Sequence, residues 1–392
     1  MIMLMMVPAV GLGLGRFAYG MILPDMRVSL DWSYTVAGWI NALNAFGYLV
    51  GAALTPRLMG RLGAMRATIL GTFLVVAGIA LTGLSGSLAV ICLARLVAGF
   101  GAAMGFVGGG TLSVEIAETR PERRSFLIGL FYAGPGLGIL AAGLMVPGLM
   151  AVSGPGSWAT AWLLLAAIGI VLVVPLATGE RRRGVIATAA PVRPSVRLLP
   201  MLPLLVGYFS FGAGYIGYMT FMNVWSRNAG LGTFAETAFW MTVGAGVMAS
   251  PWLWSGLIDR FSGGRNTGLM IAITGSGALI PLAAPGLVGL LLSAALFGSA
   301  FMSVVASTTT FVRRHLPVEA RAAGVAAMTI TFGLGQVAGP VVIGFASDLA
   351  GSLDLGLWLS AGILIAGALL STLQGNLAPD GAAPAPVPAR CS

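Results

Sequence analysis

The sequence predicts an all-α integral membrane protein whose twelve transmembrane helices form two six-helix halves. The 392 residues are 57% hydrophobic and only 8% charged, whereas a soluble domain carries about 25% charged residues. Apolar windows long enough to cross a bilayer as helices recur along nearly the whole chain, which does not fit the short alternating strands of a membrane barrel. An internal repeat also relates the first half of the chain to the second. These observations exclude the class of water-soluble proteins.

The apolar windows predict twelve helices joined mostly by short loops. The predicted spans are 4–27, 33–56, 67–84, 87–116, 125–149, 157–178, 199–226, 234–257, 266–284, 287–312, 321–348 and 353–374. The longest connection is charged and contains proline, and the segment after the last span is rich in Pro and Ala, which indicates a linker and a disordered tail. We therefore expect an N-terminal half at 1–179, a cytoplasmic linker at 180–198, a C-terminal half at 199–375 and a disordered tail at 376–392.

Arginine distribution predicts the orientation of these helices. The loops on one side of the predicted bundle, together with the tail, hold nearly all of the loop arginines, whereas the other side holds only Arg27 and Arg227. Positive charge accumulates in cytoplasmic loops. We therefore expect a multi-pass protein of the bacterial inner membrane with both termini in the cytoplasm.

The internal repeat becomes visible when the chain is shifted by 199 residues. This shift aligns the segment GLGRFAY, which begins at Gly13, with GAGYIGY, which begins at Gly212. The same shift aligns Arg66 with Arg265. Six helices per copy give both copies the same topology, related by an axis along the membrane normal. Such repeats place a shared site near the midplane of the bilayer, at their interface.

Several motifs resemble those of the major facilitator superfamily over essentially the full length of the chain. The loop at 255–265 reads SGLIDRFSGGR, which is similar to the cytoplasmic loop signature of that superfamily. The segment from Arg95 to Ala103 resembles its fourth-helix motif, and Gly134-Pro135-Gly136-x-Gly138 is similar to a motif of antiporters. Within the superfamily, GRFAYG and GYIGYMTF resemble the YbfB/YjiJ group of bacterial transporters.

The resemblance implies a cytoplasmic gate of ion pairs that would break on opening. The first-half copy of the loop signature has Gly60 where the superfamily usually has an acidic residue. The alternative is that these charges are simply solvated. The predicted gate residues are Arg61, Arg66, Glu115, Glu118, Asp259, Arg260 and Arg265.

Arg16 and Arg95 are the two arginines that fall inside predicted spans. An arginine at bilayer depth is costly and therefore faces protein or a water-filled cavity, where it marks a substrate or ion pathway. The two residues would attract an anionic solute, or Arg95 would be linked to protonation in span one. The structural alternative is a buried pair with Asp25, with Glu115 or with backbone carbonyls. Asp25 itself is predicted as a proton-coupling residue, with an interfacial partner of Arg27 as the alternative.

Polar and aromatic side chains in the other spans extend this candidate site. Asn41 and Asn44 share one helix face with Tyr48, and Tyr215 and Tyr218 occupy the repeat positions of Arg16 and Tyr19. Tyrosines can line a pocket or belong to the aromatic belts at the membrane surface. The predicted solute-binding residues are Arg16, Tyr19, Asn41, Asn44, Arg95, Tyr132, Tyr215, Tyr218, Asn223, Trp240 and Gln336.

These features together predict a secondary transporter rather than an enzyme. No group of residues has metal-ligand spacing and no phosphate-binding loop is present, so we expect no metal, no cofactor and no direct use of ATP. His315 lies in a basic loop, where a solvated role is expected. The predicted partners are a small organic solute, with an anion favoured, a coupling proton and membrane lipid. No nucleic-acid partner is expected, and the protein is predicted to be a monomer. The alternatives are export of drugs or metabolites by proton antiport, or a membrane sensor or lipid-acting protein that does not transport.

Overall fold

The computed structural model describes residues 1–180 and 196–377, and within these ranges every regular element is a helix. The predicted linker lies mostly outside the described residues, and so does all but the start of the predicted tail. The boundaries of the two halves therefore remain predictions.

Twelve long helices follow one another in the order that the apolar windows predict. They are α1 Ile2–Ser29, α2 Tyr34–Leu62, α3 Ala64–Leu84, α4 Leu88–Glu118, α5 Arg124–Ser153, α6 Trp158–Glu180, α7 Leu202–Asn228, α8 Thr233–Leu253, α9 Arg265–Ala283, α10 Leu287–His315, α11 Arg321–Ala350 and α12 Leu353–Thr372. Eleven of them are long and apolar enough to cross a membrane, and α8 is not among the eleven. A buried acid, Glu236, in the first turn of α8 contributes to its weaker hydropathy. The twelve-helix architecture is therefore confirmed.

Two helices differ locally from the prediction. Helix α8 ends at Leu253 and a separate short helix, Ser255–Arg260, follows it where one continuous span to residue 257 was expected. Helix α1 is π-helical over Ala9–Phe17, where the sequence predicts an ordinary helix. Pro8 precedes this stretch and cannot donate a backbone hydrogen bond. Turns of π-helix are wider than those of an α-helix and are rare in proteins. Those that do occur often lie at functional sites.

Helices α1 and α5 approach each other closely because glycine faces glycine at their crossing. A Cβ atom added to Gly13 would lie 2.8 Å from the carbonyl carbon of Gly138, which real Cβ atoms do not tolerate. Small residues at such crossings let two membrane helices pack backbone to backbone. The π-helical stretch of α1 is therefore held against α5 next to Arg16.

The same pattern of neighbours occurs among the first six and the last six helices. Helix α4 packs against α2 and α3, and α6 packs against α3. In the same way α10 packs against α8 and α9, and α12 packs against α9. This repetition agrees with the shift of 199 residues, and we call the two groups the N-terminal set, α1–α6, and the C-terminal set, α7–α12.

Among the described residues, the main contacts between the two sets are those of α1 with α7, α2 with α11, and α5 with α8. We call the end of the bundle that holds Arg27 and Arg227 the arginine-poor end, and the opposite end the arginine-rich end. At the arginine-poor end the carboxylate of Asp348 on α11 accepts hydrogen bonds from the first residues of α2. Nearby, Asn223 on α7 donates to the carbonyl of Met21 on α1, with an N–O distance of 3.0 Å. The sets are therefore tied together at this end.

Candidate functional site

Arg16 lies in the middle of the bundle, on the π-helical stretch of α1, where only 3% of its surface is exposed. Its Nε and Nη2 atoms are buried and have no hydrogen-bond partner among the described residues. The guanidinium carbon lies 5.7 Å from the ring centroid of Tyr48 on α2. Phe17, the next residue, makes an edge-to-face contact with Phe301 on α10 of the other set, and Phe301 in turn contacts Tyr215 on α7. The predicted cation therefore lies at the interface between the two sets.

An array of nearly parallel rings lies in the C-terminal set beside Phe301, which contacts Phe17 on α1. Tyr208, Phe211 and Tyr215 project from α7 and Phe332 from α11, with interplanar angles of 5° to 21°. The ring centroids of Tyr208 and Phe332 are 4.9 Å apart, and those of Tyr215 and Phe332 are 5.5 Å apart. We call these four residues the aromatic wall. Stacked rings of this kind bury large apolar surfaces in a fixed geometry.

Polar atoms complete the site beside the aromatic wall. Gln336 on α11 is buried, and its Nε2 donates a hydrogen bond to the hydroxyl of Tyr215. The remaining amide atom, Oε1, has no hydrogen-bond partner among the described residues. Tyr132 on α5 packs against the rings of Phe106 and Phe131 within the N-terminal set. Two of the predicted residues, Tyr215 and Gln336, are therefore in direct contact in the structure.

Exposure varies among these side chains. Tyr48, Tyr132 and Phe332 are partly exposed, whereas Arg16 and Tyr215 are 3% and 1% exposed. Arg16 and Tyr215 are therefore almost completely enclosed by protein in this structure.

Arg95 lies within the N-terminal set and away from the aromatic wall. Its Nη1 donates to the carbonyl oxygen of Gly15 at 2.7 Å, and its guanidinium carbon lies 5.0 Å from the ring centroid of Tyr19 and 5.1 Å from that of Trp162. Arg95 and both rings are fully buried. Its contact with a backbone carbonyl is one of the structural alternatives that the sequence left open. Arg95 ties α4 to α1 next to Arg16.

Four other predicted solute-binding residues lie in contacts between helices. Tyr19 donates to the carbonyl of Ala37 at 2.9 Å, and Asn44 donates to the carbonyl of Arg95 at 3.0 Å. Tyr218 shares a hydrogen bond of 2.5 Å with Ser293 and stacks on Phe297. Trp240 on α8 packs against α5, since a Cβ atom on Gly143 would lie 2.7 Å from its Cβ. These contacts account for the burial of Tyr19, Asn44 and Tyr218 without a solute, whereas the buried Nε1 of Trp240 has no hydrogen-bond partner among the described residues.

Two predicted amides join the two sets directly. Asn41 on α2 donates to the hydroxyl of Thr220 on α7 at 2.6 Å, and Asn223 on α7 bonds to α1 as described above. The Oδ1 atoms of both amides are buried and have no partner among the described residues. These two contacts must change if the sets move apart.

Asp25 lies at the arginine-poor end, where it caps α6. Its two carboxylate oxygens accept hydrogen bonds from the backbone N–H groups of Gly156 and Trp158, each at 2.9 Å. A carboxylate at the first turn of a helix is favoured by the helix dipole and by unpaired N–H groups. Arg27, its predicted alternative partner, instead lies over the ring of Tyr34 at 4.4 Å. The proton-coupling role of Asp25 stays a prediction, and its geometry is that of a structural cap.

A cavity of about 620 Å³ lies beside Asp25 between α1, α5, α7 and α8. Arg27, Arg227 and Glu236 also line it. Glu236 is buried and accepts two hydrogen bonds from Arg227, at 2.5 and 3.0 Å. The charges of this cavity are therefore at least partly neutralised by one another.

The predicted gate residues lie at the arginine-rich end, mostly in contact with solvent. Glu118 lies 3.6 Å from Arg124, and both side chains are more than half exposed. Glu115 is partly buried, and its Oε2 has no hydrogen-bond partner among the described residues. Arg61, Arg66, Arg260 and Arg265 are exposed, and the side chain of Asp259 lies outside what the structure describes. The predicted gate therefore stays a prediction.

Several important residues did not stand out in the sequence. Phe332 and Phe301 are ordinary apolar residues of their helices, yet Phe332 completes the aromatic wall and Phe301 contacts both Phe17 and Tyr215. Asp348 lies near the end of a predicted span, where an acidic residue would be expected to contact water. The repeat identified the α7 side of the site and Gln336 was predicted on α11, but no signal in the sequence indicated Phe301 or Phe332. Among the described residues no group of three or more His, Cys, Asp or Glu side chains is placed to hold a metal ion.

A membrane transporter of the major facilitator superfamily is the class that this architecture defines. The sequence profile described as "Uncharacterised MFS-type transporter YbfB" matches residues 8–372. The chain belongs to this family of transporters, which confirms the resemblance found in the motifs.

Relatives and solved structures agree with this assignment. The chain is 23% identical to the inner membrane transport protein YdhP of Escherichia coli O157:H7 over 348 residues, 86% of this chain and 87% of that protein. It is 30% identical to the uncharacterized transporter YycB of Bacillus subtilis (strain 168) over 160 residues. That match covers 40% of this chain and 38% of YycB, so the chain spans less than half of that relative's length.

Solved transporters share the fold at low sequence identity. A mutant of the nucleoside transporter NupG superposes with a TM-score of 0.73 at 16% identity, covering 95% of this chain and 98% of NupG. A bacterial homologue of the human lysosomal transporter Spinster, in an inward-facing and unoccupied conformation, gives a TM-score of 0.69 at 15% identity over 95% of this chain and 96% of that one. At these identities the likeness concerns the fold alone.

Proposed function

We propose that this protein is a secondary transporter that carries a small organic anion and holds it at Arg16. The observation that supports this is the state of the Arg16 guanidinium, which is buried between the two sets with Nε and Nη2 unpartnered. A buried cation without a counter-charge is strongly unfavourable. An anionic solute would supply that counter-charge when it binds. Its release on the other side of the membrane would leave the guanidinium unpaired again.

The proposed mechanism is alternating access by rocking of the N-terminal set against the C-terminal set. In parallel-repeat transporters the two repeats move around a site at their interface. Arg16 and Tyr48 come from one set and Tyr215 and Gln336 from the other, so rocking would assemble and separate the site. The inter-set hydrogen bonds of Asn223 and Asp348 at the arginine-poor end support a state that is closed at that end.

Proton coupling is part of the proposal, because the chain has no phosphate-binding loop that would use ATP. We propose that the protein lies in the bacterial inner membrane as a monomer with both termini in the cytoplasm. Dissipating the pH gradient across proteoliposomes should then halt accumulation of solute, and accumulation that continues would identify facilitated diffusion or a different coupling ion. Export by proton antiport is the second candidate, supported by the α5 motif Gly134-Pro135-Gly136-x-Gly138, and right-side-out and inverted vesicles distinguish the two directions.

Flux through proteoliposomes tests the role of Arg16. Liposomes with purified protein are offered a defined mixture of organic acids, neutral metabolites and amines, and uptake is measured by mass spectrometry. We expect organic acids to be taken up, and Arg16→Gln to reduce that uptake by at least about tenfold, because a hydrogen bond to a charged group is worth about 1.5–3 kcal/mol. Arg57→Gln is the matched control, since Arg57 is exposed at the arginine-rich end of α2.

Two results would contradict this proposal. Uptake of organic acids that is unchanged in folded Arg16→Gln protein would remove Arg16 from the site. Uptake restricted to neutral solutes or amines would show that the solute is not an anion.

A further inference from the structure

We propose that the solute is a planar, ring-bearing organic anion, with its carboxylate on Arg16 and its ring against the aromatic wall. This inference rests on the proposed function and narrows its solute class. It is carried by two features, namely the unpartnered edge of Arg16 and the nearly parallel rings of Tyr208, Phe211, Tyr215 and Phe332. They are linked by Phe301, which contacts both Phe17, the residue after Arg16, and Tyr215.

The unpartnered atoms of Arg16 form the edge that fits a carboxylate. Nε–H and one N–H of Nη2 point in the same direction from the planar guanidinium, so the two donors match the two oxygens of a carboxylate. The side chain is 3% exposed, and these two atoms are buried. Arg16 therefore presents two buried donors that together could hold one carboxylate.

The aromatic wall limits what the rest of the solute can be. Phe332 is partly exposed and lies in the middle of the wall, in contact with Tyr208 and with Tyr215. Its ring plane is within 14° of the ring plane of Tyr208 and within 10° of that of Tyr215. A flat ring can continue such a stack, since aromatic pairs favour offset-stacked arrangements with centroids about 4.5–7 Å apart.

Other solute classes fit these side chains less well. A sugar needs many hydrogen-bonding groups around its ring, whereas the wall offers chiefly apolar faces and the hydroxyls of its tyrosines. An organic cation would be repelled by Arg16, and a neutral apolar compound would leave the guanidinium unpaired. The free amide atom of Gln336 beside Tyr215 gives one further polar contact, suited to a ring substituent.

Three probes of similar size test charge and ring separately. Benzoate has both features, cyclohexanecarboxylate keeps the charge without the aromatic ring, and benzamide keeps the ring without the charge. Binding to the full-length protein in detergent is measured by ligand-dependent thermal shift and by titration. We expect benzoate to bind about tenfold more tightly than benzamide and about threefold more tightly than cyclohexanecarboxylate, given the usual strengths of charged hydrogen bonds and of aromatic stacking.

Two variants connect these preferences to their side chains. Arg16→Gln should abolish the preference for benzoate over benzamide. Phe332→Leu should abolish the preference for benzoate over cyclohexanecarboxylate and keep the preference for carboxylate over amide. Phe345→Leu is the matched control, because Phe345 lies on the same helix, is 55% exposed and should change neither preference. The melting temperature of each variant is first measured without ligand, so that a variant that does not fold is recognised. Ligand-dependent shifts are then measured relative to that temperature.

The outcomes separate this inference from the proposed function. Equal binding of benzoate and cyclohexanecarboxylate, both lost in Arg16→Gln, would overturn the ring assignment and keep the anion site. Equal binding of benzoate and benzamide would overturn the inference and would also count against the anion site. Failure of benzoate to bind while cyclohexanecarboxylate binds, or failure of all three probes to bind, would overturn the ring-bearing anion as the solute class.

Discussion

Arg16 and Arg95 show that one residue type serves two purposes in the same membrane. Arg95 lies between the rings of Tyr19 and Trp162 and donates to the carbonyl of Gly15, so its contacts are made within the N-terminal set. Both guanidinium groups have buried Nε and Nη2 atoms without a hydrogen-bond partner among the described residues. Arg16 differs because it lies near the ring of Tyr48 on α2 and next to Phe17, which contacts Phe301 in the C-terminal set. Arg95 thus makes its contacts within one set, whereas Arg16 lies at the contact between the two sets, where we propose that it binds the solute.

Asp25 gives the first prediction at the residue scale. Replacement of Asp25 by Asn removes the charge and one of the two acceptors at the first turn of α6, so we expect a loss of about 1 kcal/mol of stability. Thermal unfolding in detergent measures this loss, and flux driven by a pH gradient should persist. A variant with unchanged stability and no proton-driven accumulation would instead establish Asp25 as the coupling residue.

At the scale of elements, α2 and α11 form a contact that the sequence does not indicate. Asp348 on α11 accepts hydrogen bonds from the backbone of Tyr34 and Thr35, at 2.9 and 2.8 Å, and from the Thr35 hydroxyl at 2.5 Å. The carboxylate thus lies at the N-terminus of α2, where the helix dipole favours negative charge. One side chain therefore caps a helix of the other set.

The second prediction concerns this inter-set cap. Asp348→Asn should weaken closure of the arginine-poor end by about 1–2 kcal/mol, because a charged acceptor is lost from three hydrogen bonds. Spin labels at Val28→Cys and Leu349→Cys, with the two native cysteines removed, would report a distance distribution that shifts to longer values. Asp354→Asn is the control, since Asp354 bonds Trp225 within the C-terminal set. An unshifted distribution in the Asp348 variant would show that closure does not depend on this cap.

The glycines of α5 give the third prediction, at the α5–α8 contact. A Cβ atom on Gly136 would lie 2.6 Å from the carbonyl oxygen of Gly244, whereas one on Gly148 of the same helix would meet nothing within 4 Å. Gly136→Ala should therefore force α5 and α8 apart, lower the melting temperature and reduce flux, while Gly148→Ala should leave both nearly unchanged. Wild-type behaviour of Gly136→Ala would mean that the two helices separate at no measurable cost.

At the scale of the whole molecule, two sets of helices with the same neighbour pattern meet chiefly through the pairs α1 with α7, α2 with α11, and α5 with α8. The Arg16 site lies between the two sets in the middle of the bundle. Movement of one set relative to the other would therefore change the distances between the residues of the site. The inter-set bonds of Asn41 and Asn223 are side-chain contacts that can form and break without unfolding either set. This arrangement is what alternating access requires of a transporter.

The fourth prediction is the orientation of the whole molecule. The arginine distribution places the arginine-rich end in the cytoplasm. In a chain without native cysteines, Val152→Cys at the arginine-poor end should react with a membrane-impermeant maleimide on intact cells. Gly60→Cys at the opposite end should react only after permeabilisation. The reverse pattern would invert the topology and place both termini outside.

The sequence by itself determined the number and order of the helices, the family and the position of the central cation. Hydrophobic length is a local property, and an arginine among apolar residues is visible without coordinates. The repeat likewise extended the site from Arg16 to Tyr215 on α7. Only the tertiary structure decided that Arg95, Tyr19 and Tyr218 are held in helix packing, that Asp25 caps α6, and that Phe332 completes the aromatic wall of the candidate site. The physical reason is that rotation of each helix about its axis, and the partner it meets, are set by packing between segments far apart in the chain.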